Sequence, residues 1–290
     1  MKLKELLLVT ALLSGTPAVA MAQEATTSVN LGAASSYQFR GVNQNVDNSG
    51  QVFGGVDVST NSFYVGTWFS NVNFDSTSKL LDLINESGVD LDALNEIIDV
   101  NSLIGGGSKA NLEVDIYGGF RPTIGNFTLD FGLLAYTYPQ EPDLLVYEGK
   151  FATTYTTKSG IALTGSAFYS PNNGKDGPST WYLEAAASAP IPQVKLGPFS
   201  LSVNASYGNY RSDTKVLQLI PDELIEFVPQ EILDILPGSS YNNWKIGLTA
   251  ATEKGWAVDL FYTDTDLNDL KLFGVETYES RVVLQLKKSF

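Results

Sequence analysis

The sequence predicts an all-β fold, a transmembrane antiparallel up-and-down β-barrel of about twelve strands. Three observations predict it: a leader typical of secreted proteins, period-two alternation of apolar and polar residues in segments of about ten residues, and a regular exchange of short and long links between them. The 290-residue chain is long enough for one large barrel or for two small domains. Alternation alone also fits a soluble β-sandwich, so the other two observations decide the prediction.

Residues 1–22 have the pattern of a signal peptide. Lys2 and Lys4 precede an apolar run, and Ala20-Met21-Ala22 offers the small-x-small cleavage site. The mature part, 23–290, contains no apolar run of the roughly 18 to 20 residues that a spanning helix needs. We therefore expect an exported chain whose barrel is formed by residues 23–290.

Alternation begins in residues 28–74, which predict three strands. In the first of them, Val29, Leu31, Ala33, Tyr37 and Phe39 alternate with polar or small residues as far as position 40. Nine more alternating segments bring the number to twelve: 111–121, 126–138, 144–156, 160–170, 180–189, 199–210, 243–252, 255–263 and 280–290. Segments of this length suit a tilted strand that crosses a bilayer.

The links between these segments differ according to the end at which they lie. After even-numbered strands they are mostly tight, namely 60–62, 122–125, 157–159, 190–198 and 253–254. After odd-numbered strands all but one are long, namely 41–50, 75–110, 139–143, 171–179, 211–242 and 264–279. Bacterial outer-membrane barrels have short periplasmic turns and long extracellular loops, so this asymmetry favours an outer-membrane barrel.

Two of the long links contain acidic, leucine-rich segments, 76–109 and 214–239. Their apolar spacing predicts short amphipathic helices inserted in extracellular loops. Three uses remain open for them: a cap on the barrel rim, a plug folded into the lumen, or a surface that binds lipid or a partner.

The aromatic residues at strand ends predict interfacial girdles. Tyr37, Phe39, Trp181 and Trp244 would lie near the outer rim, and Phe63, Phe127, Phe199 and Trp256 near the inner rim. Trp68 has the inward parity, so either it fills the lumen or a bulge shifts the third strand.

Composition excludes several function classes. Cysteine and histidine are absent, and 32 acidic against 18 basic residues give a net charge of -14. Disulfides and thiolate sites are therefore impossible, and nucleic acid is a poor partner for so acidic a chain. The barrel hydrolases known to us use histidine, so we expect no enzyme, and we also expect no cofactor.

Charged residues on the polar side of the strands are the candidates for lining a pore. They are Arg40, Asp57, Glu113, Asp115, Asp130, Glu148, Lys150, Glu184, Lys245 and Asp259. Opposed charges of this kind can set a transverse field that selects ions. The same residues could instead form a salt-bridged interior without a path, and a strand count of twelve does not decide between a pore and a plug.

Asp264, Asp266 and Asn268 resemble the opening of a calcium loop. The glycine expected at the sixth position of such a loop is Asp269, and the glutamate expected at the twelfth is Val275. A solvated acidic turn is therefore the default interpretation, and no metal site is expected.

The chain ends on Phe290, which shares a face with Leu286, Leu284 and Val282. This pattern is similar to the terminal-strand signal that the barrel-assembly machinery reads, although Lys288 replaces the usual apolar residue.

Several segments match a known family. They are SSYQFRGVNQ at 35–44, GGVDVS and FYVGTWFSNVNF within 54–74, EVDIYGGF at 113–120, YTYP at 136–139 and YTDTD at 262–266. Together they resemble the TorF-type porin family, proteobacterial proteins first catalogued as being of unknown function. It implies a barrel with channel activity, surrounded by outer-membrane lipid and lipopolysaccharide, and it supplies no substrate or catalytic residue. The two leucine-rich inserts depart from the family pattern.

The function predicted from the sequence is passive diffusion of small hydrophilic, preferably cationic solutes. The alternative is a non-conducting outer-membrane barrel that acts as a scaffold or surface-binding protein through its helical loops. A soluble periplasmic β-protein is the third possibility, and the oligomeric state is not predicted.

Overall fold

A computed structural model of the protein describes residues 25–75, 108–175, 177–194, 196–213, 239–267 and 277–290. Its main sheet has thirteen antiparallel strands, one of which, Thr123–Ile124, has only two residues. The other twelve are β1 (Thr26–Ala34), β2 (Gln51–Ser59), β3 (Phe63–Asn71), β4 (Leu112–Phe120), β5 (Phe127–Thr137), β6 (Val146–Thr156), β7 (Ala162–Ser170), β8 (Thr180–Pro190), β9 (Phe199–Ser212), β10 (Ser240–Thr252), β11 (Trp256–Thr265) and β12 (Arg281–Ser289). The predicted number of twelve strands is confirmed.

The sheet closes on itself. β1 pairs with β2 on one side, where Ala33 faces Val52, and with β12 on the other, where Ala33 faces Leu286. β4 pairs with both β3 and β5, so every one of the twelve strands has two neighbours. A closed barrel leaves no strand edge open to pair with another chain.

The register places apolar side chains on the outside of the barrel. Leu133, Val52 and Val282 are 73%, 65% and 68% exposed although each lies within a strand. Polar side chains of the wall strands, such as Glu113 of β4 and Asp130 of β5, point into the lumen and are buried. The result is a barrel with an apolar outer surface and a polar interior. Among the described residues no helix has the length and apolar character needed to cross a membrane.

The two ends of the barrel differ, as predicted. At one end, which we call the turn end, strands are joined by 60–62, 121–126, 157–161, 191–198 and 253–255. At the other, the loop end, the connections are 35–50, 72–111, 138–145, 171–179, 213–239 and 266–280. Gly160 and Gly255 have φ of +85° and +82° and allow two of the tight turns.

The first strand is shorter than the alternation predicts. β1 ends at Ala34, and residues 35–50 turn into the barrel instead of continuing the wall. Tyr37 and Phe39, predicted to belong to the outer girdle, therefore lie inside, where Tyr37 packs edge-on against Trp68 at 5.7 Å. That prediction was wrong because the same pattern, an aromatic residue at every second position, occurs both in strands of the barrel wall and in segments that fold into the lumen.

Four of the other girdle residues, and Trp68, point in the direction that their position in the alternation predicts. Trp181 is exposed near the loop end, and Phe63, Phe127 and Trp256 are exposed near the turn end. Trp68 points inward from β3, and its side chain lines a cavity of the lumen. The residues on either side of it continue to alternate between outward and inward positions.

Three predicted features lie wholly or almost wholly outside the described residues. They are the signal peptide, 1–22, and the two leucine-rich inserts, of which only residues 108–109 and 239 are described. Their predicted structure stays a prediction.

Candidate functional site

The loop between β1 and β2 enters the lumen as a hairpin, and we call residues 35–50 the lumen hairpin. Its two short strands, Gln38–Phe39 and Val42–Asn43, pair across a two-residue turn at Arg40 and Gly41. Both turn residues have positive φ, +51° and +82°, which is the pattern of a type I′ turn. Asparagine usually precedes glycine in this turn, and a left-handed arginine costs about 1 to 2 kcal/mol. Contacts made by Arg40 must offset that cost.

The stem of the lumen hairpin is held by backbone hydrogen bonds. The amide of Ser35 donates to Leu284 at 2.9 Å, that of Asn43 to Thr277 at 2.8 Å, and that of Val46 to Asn73 at 2.9 Å. These contacts reach two different parts of the barrel mouth. The stem is therefore fixed, and the tip projects across the lumen.

Arg40, at the tip, forms a two-pronged ion pair with Glu148 of β6. Its two terminal nitrogens lie 2.7 and 2.8 Å from the two carboxylate oxygens, and both side chains are almost wholly buried. The hydroxyl of Tyr136 donates to the same carboxylate at 2.9 Å. Burial alone would lower the pKa of Arg40, but the hydrogen bonds and charge of Glu148 outweigh it, so the pKa is raised and the guanidinium stays charged.

Three aromatic rings surround the same guanidinium. Its central carbon lies 4.6 Å from the ring centre of Phe39, 5.0 Å from that of Phe168 and 4.4 Å from that of Tyr182. Distances below about 6 Å are favourable for a cation over a ring face. We call Glu148, Tyr136, Phe168 and Tyr182, which belong to four successive strands, the Arg40 box.

Glu113 and Asp115 form a pair of carboxyl groups on β4, where Glu113 contacts the hairpin stem and Asp115 pairs with Tyr136 of β5. Glu113 accepts hydrogen bonds from the hydroxyls of Tyr37 at 2.9 Å and Tyr138 at 3.3 Å. Asp115 is 8% exposed, and its Oδ1 has no hydrogen-bond partner among the described residues. No basic group of the described residues lies within ion-pair distance of either carboxylate.

Asp130, nearer the turn end, is neutralised by neighbours. Lys150 lies 2.8 Å and Arg121 3.1 Å from its Oδ2, and the hydroxyl of Tyr64 donates to its Oδ1 at 2.8 Å. This cluster spans three strands of the wall and the end of a fourth. It resembles the salt-bridged interior that the sequence left open as an alternative.

The remaining predicted residues form hydrogen bonds or ring contacts, and no ion pair to them is seen among the described residues. Asp57 accepts from Tyr117 at 2.7 Å, Glu184 from Tyr182 at 3.2 Å, and Asp259 from Gln285 at 3.0 Å. Lys245 has its ammonium 5.4 Å from the ring centre of Phe261.

The lumen hairpin divides the interior into spaces of different depth. An outer vestibule of about 750 Å³ opens at the loop end and is lined by Tyr138, Tyr210, Tyr241, Glu113 and Glu148, among others. Below the hairpin lie a cavity of about 480 Å³, whose walls include Asp57, Trp68 and Lys287, and one of about 290 Å³ beside Glu184 and Lys245. Phe39, Arg40 and Tyr136 line both the vestibule and the smaller cavity, so the hairpin tip is the partition between them.

All ten predicted pore-lining residues face the interior, but Arg40 reaches it from the hairpin and not from a strand. The box residues Tyr136, Phe168 and Tyr182 were not predicted. Their inward parity was readable from the sequence, whereas the position of Arg40 opposite them depends on the turn at 40–41. Whether any of these residues lines a conducting path stays a prediction.

The weak calcium candidate is occupied by internal hydrogen bonds. Asp264 accepts from the hydroxyl of Tyr262 at 2.6 Å, and Asp266 accepts from the backbone amide and side chain of Asn242. Asn268 lies outside the described residues. Within the described part of the chain, no three acidic side chains lie together as a metal site.

The C-terminal residues close the barrel seam. The amide of Phe290 donates to Val29 at 2.8 Å, and its ring is 69% exposed on the outer surface. Lys288, the charge on the apolar side of β12, bends back so that its ammonium donates to the carbonyl of Lys254 at 2.7 Å and lies 4.4 Å from the Phe290 ring centre. Snorkelling to the barrel end thus removes this charge from the apolar belt.

The fold and the interior together define the class: a closed twelve-stranded β-barrel with an apolar outside and a charged lumen crossed by an infolded hairpin. The chain belongs to the family described as "Bacterial protein of unknown function (Gcw_chp)", whose sequence profile matches residues 19–216. Among curated proteins, none matches the sequence.

Several solved structures align with most of this chain at low sequence identity. The KdgM porin in complex with disordered oligogalacturonate is 6% identical, with 91% of this chain and 99% of that chain covered and a TM-score of 0.47. The NanC porin is 8% identical with the same coverage and TM-score. LpxR from Salmonella typhimurium is 8% identical, covers the same shares and has a TM-score of 0.45. The function of this chain has to be argued from its own residues.

Proposed function

We propose that the protein is an outer-membrane, porin-like channel for passive diffusion of small hydrophilic cations. The observation that carries the proposal is the polar, partly hollow lumen inside a closed barrel whose outer surface is apolar. A soluble barrel would cover an apolar face of this size, whereas lipid solvates it. The resemblance to TorF-type porins supports the same function.

The preference for cations follows from an uneven pairing of the lumen charges: two basic groups have acidic partners, whereas two acidic groups have no basic partner in the described part of the chain. Arg40 and Lys150 are neutralised by Glu148 and Asp130. Glu113 and Asp115 have no such counter-charge among the described residues. The negative charge that this pair carries beside the entrance lowers the energy of a cation in the vestibule and raises that of an anion.

In the proposed location, the barrel would contact the lipids of the outer membrane and the machinery that inserts it. The apolar belt would be in contact with outer-membrane lipid, and the loop end with lipopolysaccharide. Phe290, at the closing strand, would be read by the barrel-assembly machinery during insertion. The signal peptide, 1–22, would direct export.

The experiment is single-channel recording of the refolded protein in a planar bilayer under a salt gradient. We expect cation-selective openings, and a reversal potential that moves toward zero in the double variant Glu113→Gln with Asp115→Asn. The matched control is Tyr138→Phe, which alters a side chain that donates to Glu113 but removes no charge, so it should change cation selectivity less.

Two results would contradict the proposal. A silent bilayer, with folding shown by heat-modifiable gel mobility, would exclude the channel. Openings whose selectivity is the same in the double variant and in the unmodified protein would exclude Glu113 and Asp115 from the path.

A further inference from the structure

The Arg40 box is a complete recognition site for a guanidinium group. Its carboxylate meets the two prongs of the fork at 2.7 and 2.8 Å, and the rings of Phe168 and Tyr182 lie within 5.0 Å of the central carbon. A planar cation with several donors is the group that such a carboxylate and such ring faces bind best. All four box residues belong to the barrel wall, so the site does not depend on the hairpin for its shape.

Arg40 occupies this site in a left-handed backbone conformation, φ +51°. Strained residues of this kind point to a function when the surrounding structure holds them in place. A guanidinium carried by a free solute could make the same contacts with Glu148 and the rings, and it would pay nothing for backbone strain. The guanidinium of Arg40 thus occupies the Arg40 box in a way that the guanidinium of a solute can replace.

The site is also reached from the entrance. Glu148 and Tyr136 line the outer vestibule, while Phe168, Tyr182 and Tyr136 line the 290 Å³ cavity beneath it. Further rings, those of Tyr138, Tyr210, Tyr241 and Tyr278, line the vestibule above. An organic cation that enters from the loop end therefore meets ring faces first and then the box, before it meets the deeper space.

We propose that the Arg40 box is a binding site for the guanidinium group of small organic cations, and that Arg40 is a built-in competitor which such a solute displaces as it passes. The displacement step rests on the proposed channel function. Binding to the box does not, so the two can be tested separately.

The test uses the full-length variant Arg40→Asn, which empties the box and retains the hairpin, because Asn-Gly is the preferred pair for a type I′ turn. The probe is methylguanidinium at millimolar concentration, and urea serves as the uncharged isostere. In bilayer recordings we expect voltage-dependent blocking events in Arg40→Asn at a methylguanidinium concentration about tenfold lower than in the unmodified protein. Urea should cause none.

Two further variants make the test specific. Arg40→Asn with Glu148→Gln empties the box and removes its charge, and should lose the added sensitivity to methylguanidinium. Arg121→Ala is the matched control, since Arg121 also pairs with a carboxylate and lies 4.3 Å from a ring centre, that of Tyr64, but at the turn end and half exposed. It should respond to methylguanidinium as the unmodified protein does.

A second readout needs no current. Methylguanidinium should raise the thermal unfolding midpoint of Arg40→Asn in detergent and should not raise that of the double variant. If no protein conducts but this stabilisation is found, the channel function fails and the binding site stands. If Arg40→Asn conducts yet shows neither block nor stabilisation beyond the unmodified protein, the binding site is overturned and the channel stands.

Discussion

Arg40 and Glu148 hold the tip of the lumen hairpin against the barrel wall. They form an almost wholly buried ion pair between a loop and the wall of the barrel. Removing one member of a buried pair leaves an uncompensated charge, which typically costs about 3 to 5 kcal/mol. That exceeds the backbone strain of about 1 to 2 kcal/mol in the left-handed residue that the ion pair holds in place.

Glu148→Gln should therefore release the tip of the lumen hairpin and give larger or more frequent openings in single-channel recordings. The control is Tyr136→Phe, which removes one hydrogen bond to the same carboxylate, worth about 1 kcal/mol, and leaves the ion pair in place. Recordings of Glu148→Gln that match those of Tyr136→Phe would mean that the ion pair does not hold the tip.

Tyr37, on the hairpin stem, should make the fold sensitive to alkali. Burial, and then the charge of Glu113, raise the pKa of its hydroxyl above the ordinary value of 10.0. Because the folded pKa is the higher one, the stabilisation is complete below pH 10 and is lost as pH rises toward the folded pKa.

We expect the free energy of unfolding of the unmodified protein to fall more steeply as the pH rises above about 10 than that of Tyr37→Phe, which keeps the ring but not the titrating group. Urea unfolding in detergent at several pH values measures this. Parallel slopes for the two proteins would show that Tyr37 does not titrate abnormally.

The lumen hairpin, as an element, depends on one glycine at its tip. Gly41 has φ +82°, and a Cβ there would lie 2.6 Å from Cγ2 of Thr265 and 2.7 Å from Cβ of Asn243. A side chain at this position meets both backbone strain and the barrel wall. The close approach shows that the hairpin is packed against β10 and β11 and is not merely suspended in the lumen.

Gly41→Ala should displace the hairpin tip and increase the single-channel conductance. Gly125→Ala is a matched control, because Gly125 also has a positive φ, +62°, but nothing lies within 4 Å of its added Cβ. Both variants pay the strain of a left-handed alanine, about 1 to 2 kcal/mol, and only the first also clashes. Equal conductance in the two variants would place the Gly41 turn away from the path.

The elements of the wall could be predicted from the sequence, but the hairpin could not. Period-two alternation fixes which side chains face lipid and which face the lumen, because a slip by one residue would expose every charge. It does not say where a strand leaves the wall. Tyr37 and Phe39 continue the alternation of β1, and Arg40 before Gly41 lacks the asparagine that marks a type I′ turn.

In the molecule as a whole, the apolar outer belt is the feature that supports the proposed membrane location. Leu133 lies in the middle of β5, is 73% exposed and belongs to a face that includes Phe131 and Phe151. A charge at the centre of such a face costs about 2 to 4 kcal/mol in lipid. A charge on the lumen side of a neighbouring strand costs much less, because water is available there.

Leu133→Arg should therefore lower the free energy of unfolding in lipid vesicles by about 2 to 4 kcal/mol, measured by urea titration of the heat-modifiable band. Ser166→Arg, at an inward position of β7, should change it by less than about 1 kcal/mol. Two equal losses would contradict the assignment of the outer face to lipid.

The ion pairs of the candidate site depend on three-dimensional register that one sequence does not contain. The parity of Glu148, Tyr136 and Tyr182 follows from alternation, and so their common exposure to the lumen was predictable in principle. Which of them meet Arg40 depends on how far the hairpin reaches across a barrel of twelve strands, and that distance follows from closure and stagger.

If the lumen is a path, the lumen hairpin sets its width, because the hairpin tip separates the vestibule from the cavity beneath it. The most direct measurement compares the single-channel conductance of the unmodified protein with that of a variant in which residues 38–43 are replaced by a two-residue Asn-Gly turn. We expect a conductance several-fold higher in the shortened variant, with folding confirmed by heat-modifiable mobility. An unchanged conductance, or silence in both proteins, would contradict it.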